Sequence, residues 1–101
     1  MSEISHAYTI AASHPCFAGH FPNNPIVPGV VILDYARDLL QHWQPHCRIK
    51  SITQAKFLQP LHPGQTFHIT LKQGPEDTIK FACTCDGLRM VTGAFLIENK
   101  A

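Results

Sequence analysis

The fold class predicted for this 101-residue sequence is α+β: one buried helix meeting an antiparallel sheet of about five strands. Three observations predict it. Only one stretch, from Pro28-Gly29 to Trp43, spaces its apolar residues as a helix face does. Later stretches are rich in β-branched and aromatic residues, in runs or in strict alternation. The last two of these are joined by Asp86-Gly87, a strong signal for a type I′ hairpin.

Taken in order, His6 to Ala12 is expected to form a short opening strand. Ser13 to Pro28 holds Pro15, Pro22, Pro25 and Pro28 together with Gly19. Prolines at that density exclude regular structure and preset several φ angles, which predicts a stiff, shaped loop. The helix then opens at Pro28-Gly29, where a missing N–H costs little, and is stopped by Pro45. Ile32, Ala36, Leu39, Leu40 and Trp43 follow i, i+4, i+7, i+8, i+11 spacing. Val30, Val31 and Leu33 make the first turn apolar all round, so the N-terminal half of the helix is expected to be buried. Arg48 to Gln59 reads as a long strand closed by Pro60, Pro63 and Gly64. From Gln65 to Gln73, Phe67, Ile69 and Leu71 point one way and Thr66, His68, Thr70 and Lys72 the other. After a turn at Gly74-Pro75-Glu76-Asp77, Ile79, Phe81, Cys83 and Cys85 alternate with Lys80, Ala82 and Thr84. Leu88 to Ile97 supplies the returning strand.

The length suits a single domain over 1–101, and 45% apolar with 15% charged residues is globular composition. Eight Lys/Arg against seven Asp/Glu leave a net charge of +1, so neither nucleic acid nor an anionic membrane is indicated as the main partner. The longest apolar run of the helix start, Val30 to Leu33, is too short to span a bilayer. No basic start followed by an apolar core marks a signal peptide, so a cytoplasmic location is expected. Cys16, Cys47, Cys83 and Cys85 are then expected as buried free thiols. No CxxC pattern suggests a structural metal.

Charge is unevenly distributed. Thirty consecutive residues, Ile4 to Leu33, contain no Asp, Glu, Lys or Arg, and the gap ends at Asp34. Such a stretch enters a core, meets another subunit or lines a site. Asp34 lies five residues beyond Gly29, about 7 Å along a helix axis. Burial would penalise its charged form unless Arg37 or another cation turns toward it. Individually, Asp34 reads as a helix residue paired with Arg37, Pro28-Gly29 as a good helix start, and most of the seven histidines as surface. Together they form an arrangement with chemical content: a base held on a rigid loop, a partly desolvated acid and unpaired N–H donors at a helix N-terminus.

The run Gly19-His20-Phe21-Pro22, then Pro25, Pro28-Gly29-Val30 and an acid fourteen residues after His20, resembles the β-hydroxyacyl-acyl carrier protein dehydratases of the hot-dog superfamily. Lys56-Phe57-Leu58-Gln59-Pro60-Leu61-His62-Pro63-Gly64-Gln65 is similar to that family's Lys-Phe-x-x-Pro-Val-x-Pro-Gly-Asp strand and turn. The opening His14-Pro15-Cys16-Phe17-Ala18-Gly19-His20-Phe21-Pro22 is similar in particular to the short dehydratase subunits of aryl polyene biosynthesis.

The resemblance implies a hot-dog fold, with the sheet wrapped around the central helix, and a 3-hydroxyacyl-[acyl carrier protein] dehydratase that produces a trans-2-enoyl thioester. His20 would be the base for the α-proton, Asp34 the acid for the departing hydroxyl, and the Gly29 N–H the donor to the thioester carbonyl. Gly at 29 would let the substrate approach, with no Cβ in its way. Phe17, Phe21, Ile26, Val27, Pro28 and Val31 are the candidates for substrate binding. No cofactor or metal is implied. The family's site lies between two subunits, which implies a homodimer or higher oligomer, or pairing with a second dehydratase-like subunit. The carrier protein is acidic in such pathways, with Arg37, Arg48, Lys50, Lys56 and Arg89 as candidate contacts. Asp34 stands where the commonest dehydratase branch has Glu; the branch that also isomerises the double bond has Asp, but the brevity of this chain argues against isomerisation. Thioester hydrolysis and non-catalytic binding of an acyl group or carrier protein are the alternatives.

Overall fold

The computed structural model describes residues 2–14 and 25–100. The chain forms β1 (Glu3–Thr9), α1 (Gly29–Trp43), β2 (Cys47–Phe57), β3 (Thr66–Gln73), β4 (Thr78–Cys85) and β5 (Leu88–Asn99). The five strands make one antiparallel sheet in the order β1-β3-β4-β5-β2.

Alternation decides which face meets the helix. Phe67, Ile69 and Leu71 of β3, Ile79, Phe81, Cys83 and Cys85 of β4, and Val91 and Phe95 of β5 are all buried on the inner face. Phe81 and Phe95 stack at 4.6 Å between ring centroids. The helix lays Ile32, Ala36, Leu39 and Leu40 on that face, the residues its spacing singles out. Tyr35 closes the β1 side against Tyr8, 4.9 Å between centroids. Pro28 precedes the first helical residue, and the helix ends at Trp43, with Gln44 as its C-cap directly before Pro45. Asp86 and Gly87 both take positive φ (52° and 78°), as the type I′ hairpin requires.

Two expectations need correction. The opening strand starts three residues early, at Glu3, and ends at Thr9 rather than Ala12. It is set by pairing with β3, from Glu3 opposite Lys72 to Thr9 opposite Thr66, after which the chain leaves the ladder and Ile10 turns into the core. The N-terminal half of α1 is not buried within the chain: Val30 is 64% exposed and the Asp34 side chain 54%. A helix on a single sheet covers one stripe, and positions 30, 34, 37 and 38 fall on its other side.

Strand β2 is the sheet's outer edge, and its register against β5 shifts twice, between Ile49 and Ser51 and between Ile52 and Gln54. Each shift leaves one residue unpaired, Lys50 and Thr53. The bulges keep Ile49, Ile52, Ala55 and Phe57 on the inner face although their spacing is not strictly two. Only the first residue of the helix, Gly29, meets this end of β2, so Ile52 and Phe57 stay about half exposed on the face that elsewhere forms the core.

Candidate active site

The segment after β2 positions the start of the helix. Leu61 is fully buried, and its carbonyl accepts the Val27 N–H at 2.7 Å. At the next residue, His62 Nδ1 lies 3.0 Å from the Pro25 carbonyl. A carbonyl only accepts, so this bond requires the proton on Nδ1. The His62 N–H is itself held by Gln65 Oε1 at 2.8 Å, and the N–H groups of Leu58 and Gln59 both donate to Met90 O. Residues 25–28 are thereby clamped to the β2–β3 connection, and the first turn of α1 follows from them.

The clamp encloses a largely apolar cavity of about 370 Å³ lined by Ile26, Val27, Pro28, Gly29, Ile32, Phe57, Leu58, Gln59, Pro60, Leu61 and Val91. Gly29 is the first helical residue, so its N–H has no intrahelical acceptor and sits at the positive end of the helix dipole. Four of the expected site residues, Ile26, Val27, Pro28 and Gly29, therefore meet in one place. Val31 lies off this cavity and packs against the core. His20, Phe17 and Phe21, like Cys16, lie outside the described residues.

Gly29 has a neighbour that spacing did not suggest. A Cβ built on it points not into open cavity but at the ring of Phe57, with Cζ 2.6 Å away. The absence of a side chain at 29 thus makes room for the Phe57 ring.

Asp34 turns away from the cavity. Its carboxylate lies 3.5 Å from the Arg37 guanidinium, which also reaches Asp38 at 3.9 Å. All three side chains are more than half exposed, and such a pair contributes only about 0.5 kcal/mol, too little to hold Asp34 against a competing partner. Asp34 shares its helix face with the exposed Val30, and both lie outward from the chain's own core.

The other chemistry-bearing groups are less suited to catalysis. Cys47, Cys83 and Cys85 are free and buried. Burial, with Cys85 beside it, pushes the Cys83 thiol up to about 12, and burial raises Cys85 as well, so neither is a thiolate nucleophile. A second cavity, about 320 Å³ between β1 and the end of α1, is lined by Ile4, His6, Tyr8, Asp38, Leu39 and His42 and contains none of the expected site residues. Among the described residues, no group of three His, Cys, Asp or Glu is placed to hold a metal, and no helix is long and apolar enough to cross a membrane.

Residue spacing did not single out Phe57, Leu58, Leu61 and Val91 as cavity walls, nor His62 as part of the clamp. The signal for four of them lay in the Lys56–Gln65 segment, whose Pro60, Pro63 and Gly64 mark a shaped connection rather than a loose loop. Val91 is reached only through strand pairing with Phe57.

Comparison with known proteins bears on this geometry. The ApeI-like family model, described as ApeI dehydratase, matches residues 1–94. The 3-hydroxyacyl-[acyl-carrier-protein] dehydratase FabZ of Ehrlichia chaffeensis is 33% identical over 84 residues, covering 73% of this chain and 57% of its own length. FabZ of Protochlamydia amoebophila is 43% identical over 60 residues, 52% of this chain and 39% of its own. The chain thus spans less than two thirds of these curated relatives. Among solved structures, the dehydratase heterocomplex ApeI:P from Xenorhabdus doucetiae superimposes with a TM-score of 0.86 at 26% identity, covering 94% of this chain and 86% of that one. The (R)-hydratase from A. caviae involved in PHA biosynthesis matches at 0.76 with 13% identity, over 98% and 95% of the two chains, which speaks for a shared hot-dog fold alone.

Proposed function

The chain belongs to the ApeI-like dehydratase family, and from that premise we propose that it eliminates water from a 3-hydroxyacyl thioester carried on an acyl carrier protein, giving the trans-2-enoyl thioester. The observation that carries this reading is Gly29, with its unpaired helix-terminal N–H, in the lining of an apolar cavity whose wall is clamped through Val27 and Leu61. An acyl chain fits such a cavity, and a helix-terminal donor favours the negative charge that builds on a thioester oxygen as the α-proton leaves.

In this reading His20 takes the proton from the α-carbon. The electron pair forms the α–β double bond as the β-carbon–oxygen bond breaks, and Asp34 delivers the proton with which the hydroxyl departs as water. Phe17, Phe21, Ile26, Val27 and Pro28 contribute to holding the acyl group, whereas Val31, packed against the core, does not. The step uses no cofactor or metal.

Asp34 and Val30 face outward, and Ile52, Phe57 and Leu58 leave apolar surface uncovered. This supports a site completed by a second chain, in a homodimer, a higher oligomer or a pairing with a second dehydratase-like subunit. The ApeI:P heterocomplex is a precedent for the last. A cytoplasmic location fits a carrier-linked reaction.

The test is to offer the purified protein a 3-hydroxyacyl thioester and a saturated acyl thioester, following enoyl formation and free thiol together. Reversible enoyl formation, lost in His20→Ala and in Asp34→Asn, is the expected result. Thiol release without enoyl would identify a thioesterase instead, and turnover of neither would point to a binding subunit.

A further inference from the structure

The chain's charges are sorted by face. Arg37 is engaged with Asp34 and Asp38, and Arg48 with Glu98 at 2.7 Å. Among the described residues, Lys50, Lys56, Lys72, Lys80, Arg89 and Lys100 make no ion pair, Lys100 donating instead to Gln41 Oε1 at 2.7 Å. Strand register places four of the other five on one surface. Lys56 stands opposite Thr92, Thr92 opposite Ala82, and Ala82 opposite Thr70, a row on the outer face of the sheet. Lys72 stands directly opposite Lys80, and Arg89 opposite Thr84, on the same outer face. The fifth, Lys50, is a bulge residue of β2.

Two features make this more than scattered solvated charge. Lys72 and Lys80 are a like-charge pair directly across adjacent strands, an arrangement that costs stability in the free chain. The strands add two carboxylates to this face, Glu3, opposite Lys72 on the other side, and Glu98, which is taken up by Arg48. Between the cations the floor is small and hydroxyl-bearing: Thr70, Ala82 and Thr92 line a shallow depression of about 290 Å³ with Lys72, Lys80 and Arg89 around it. Phe81 and Gly93 complete its lining, with Phe81 only 3% exposed, so the charged and hydroxyl groups around it are what a partner meets first.

We propose that the outer face of the sheet, around Lys72, Lys80 and Arg89, docks an acidic protein surface, which on the reading above is that of the acyl carrier protein. The inference rests on that reading for the partner's identity but not for the surface. It reassigns the candidate contacts: Arg89 and Lys56 belong to this face unpaired, whereas Arg48 is taken up by Glu98 and Arg37 lies on the helix beside Asp34 and Asp38. Unpaired cations meeting carboxylates steer encounter and lower KM with little effect on the chemical step. The net charge of +1 favours a local acidic protein patch over nucleic acid or a membrane, which select for a larger excess of positive charge.

The experiment compares the intact protein with the triple variants Lys72→Glu/Lys80→Glu/Arg89→Glu and Lys72→Gln/Lys80→Gln/Arg89→Gln. Each is given the same 3-hydroxyacyl group on an acyl carrier protein and on N-acetylcysteamine, and the Kd for the carrier is measured directly. The expected result for charge reversal is a rise of at least about tenfold in KM and Kd for the carrier, with a smaller rise for the Gln set and a weaker carrier affinity at high salt. Turnover of the small thioester stays within about twofold, which also reports an intact fold. Arg48→Gln, removing a cation already held by Glu98, leaves carrier affinity unchanged. Carrier KM and Kd that do not move in the triple variants overturn the proposal, as does loss of binding to phosphatidylglycerol vesicles with carrier affinity intact. If neither thioester is turned over, the dehydratase reading fails, while the Kd still decides the docking surface.

Discussion

The ring of Phe57 occupies the volume that a β-carbon on Gly29 would need. The two residues come from the end of β2 and the first position of α1, so the contact joins the sheet edge to the helix N-terminus in the cavity lining. Gly29→Ala is therefore expected to act through Phe57. The clash is with the far edge of a ring that is 56% exposed, so the ring can swing aside, and the stability cost stays near the low end of overpacking, about 1 kcal/mol. The displaced ring intrudes on the cavity and lowers kcat/KM. In a Phe57→Ala background the stability cost of Gly29→Ala disappears, and a double-mutant cycle measures that coupling. Independent effects of the two substitutions would show that the contact carries no energy.

Alkaline stability is the second expectation. The Cys83 thiol, ordinarily near 9.0, is raised to about 12 by burial and by Cys85. The folded chain keeps that proton while the unfolded chain releases it above about pH 8.5, so unfolding then releases a proton and stability falls as pH rises. The contribution is complete below that point and is lost progressively toward about pH 12. Cys85 and Tyr8 are raised as well and act in the same sense. Urea midpoints measured from pH 7 to 11 should decline less steeply in Cys83→Ala than in the parent, whatever cavity cost lowers the whole curve. Iodoacetamide at pH 8 should leave Cys83 unmodified until the chain unfolds.

What could be read from residues alone was the local punctuation. Pro28 and Pro45 bracket α1, Asp86-Gly87 closes the β4–β5 hairpin, and the alternation of β3 and β4 assigns their inner faces correctly. The start of β1 was not legible, because Glu3 to Ser5 become strand only by pairing with residues 70–72, remote in sequence. The two bulges of β2 were equally hidden, since an extra residue is defined against the partner strand β5. Ile26 to Gly29, named through the family resemblance, line one cavity because the prolines among them set a helix start. The exposure of Asp34 was not legible, because spacing tells which residues share a helix face but not how far the sheet extends to cover it. Val91 joins the cavity only through the sheet order.

His62 carries a prediction of its own. Its Nδ1–H is the side-chain donor to the Pro25 carbonyl, at the described end of the proline-rich segment. His62→Ala removes that donor from a partly buried acceptor and is expected to cost about 1 kcal/mol in a chemical-denaturation midpoint. Because Val27 remains bonded to Leu61, the helix start should persist, and kcat/KM should fall more than stability alone accounts for. His62→Asn, which keeps a side-chain N–H donor, should recover part of the loss. Equal activity in His62→Ala and the parent would mean that the clamp rests on the backbone pair alone.

The placement of Asp34 leads to the last expectation. It lies outside the cavity of its own chain, beside the exposed Val30, while the cavity holds Gly29. If the proton donor at each cavity comes from a second chain, two inactive variants can restore one another. His20→Ala and Asp34→Asn should each lose at least about a hundredfold in turnover when assayed alone. Co-expressed in equal amounts, they assort at random into dimers of which half are mixed, and each mixed dimer contains one cavity with both functional groups. Activity should then return to roughly a quarter of the parent's. Ile52→Arg, which places a charge on the uncovered inner face of β2, should shift the protein toward smaller species in light scattering and abolish that recovery. A co-expressed pair that stays as inactive as its components, while remaining assembled, would place both groups on one chain.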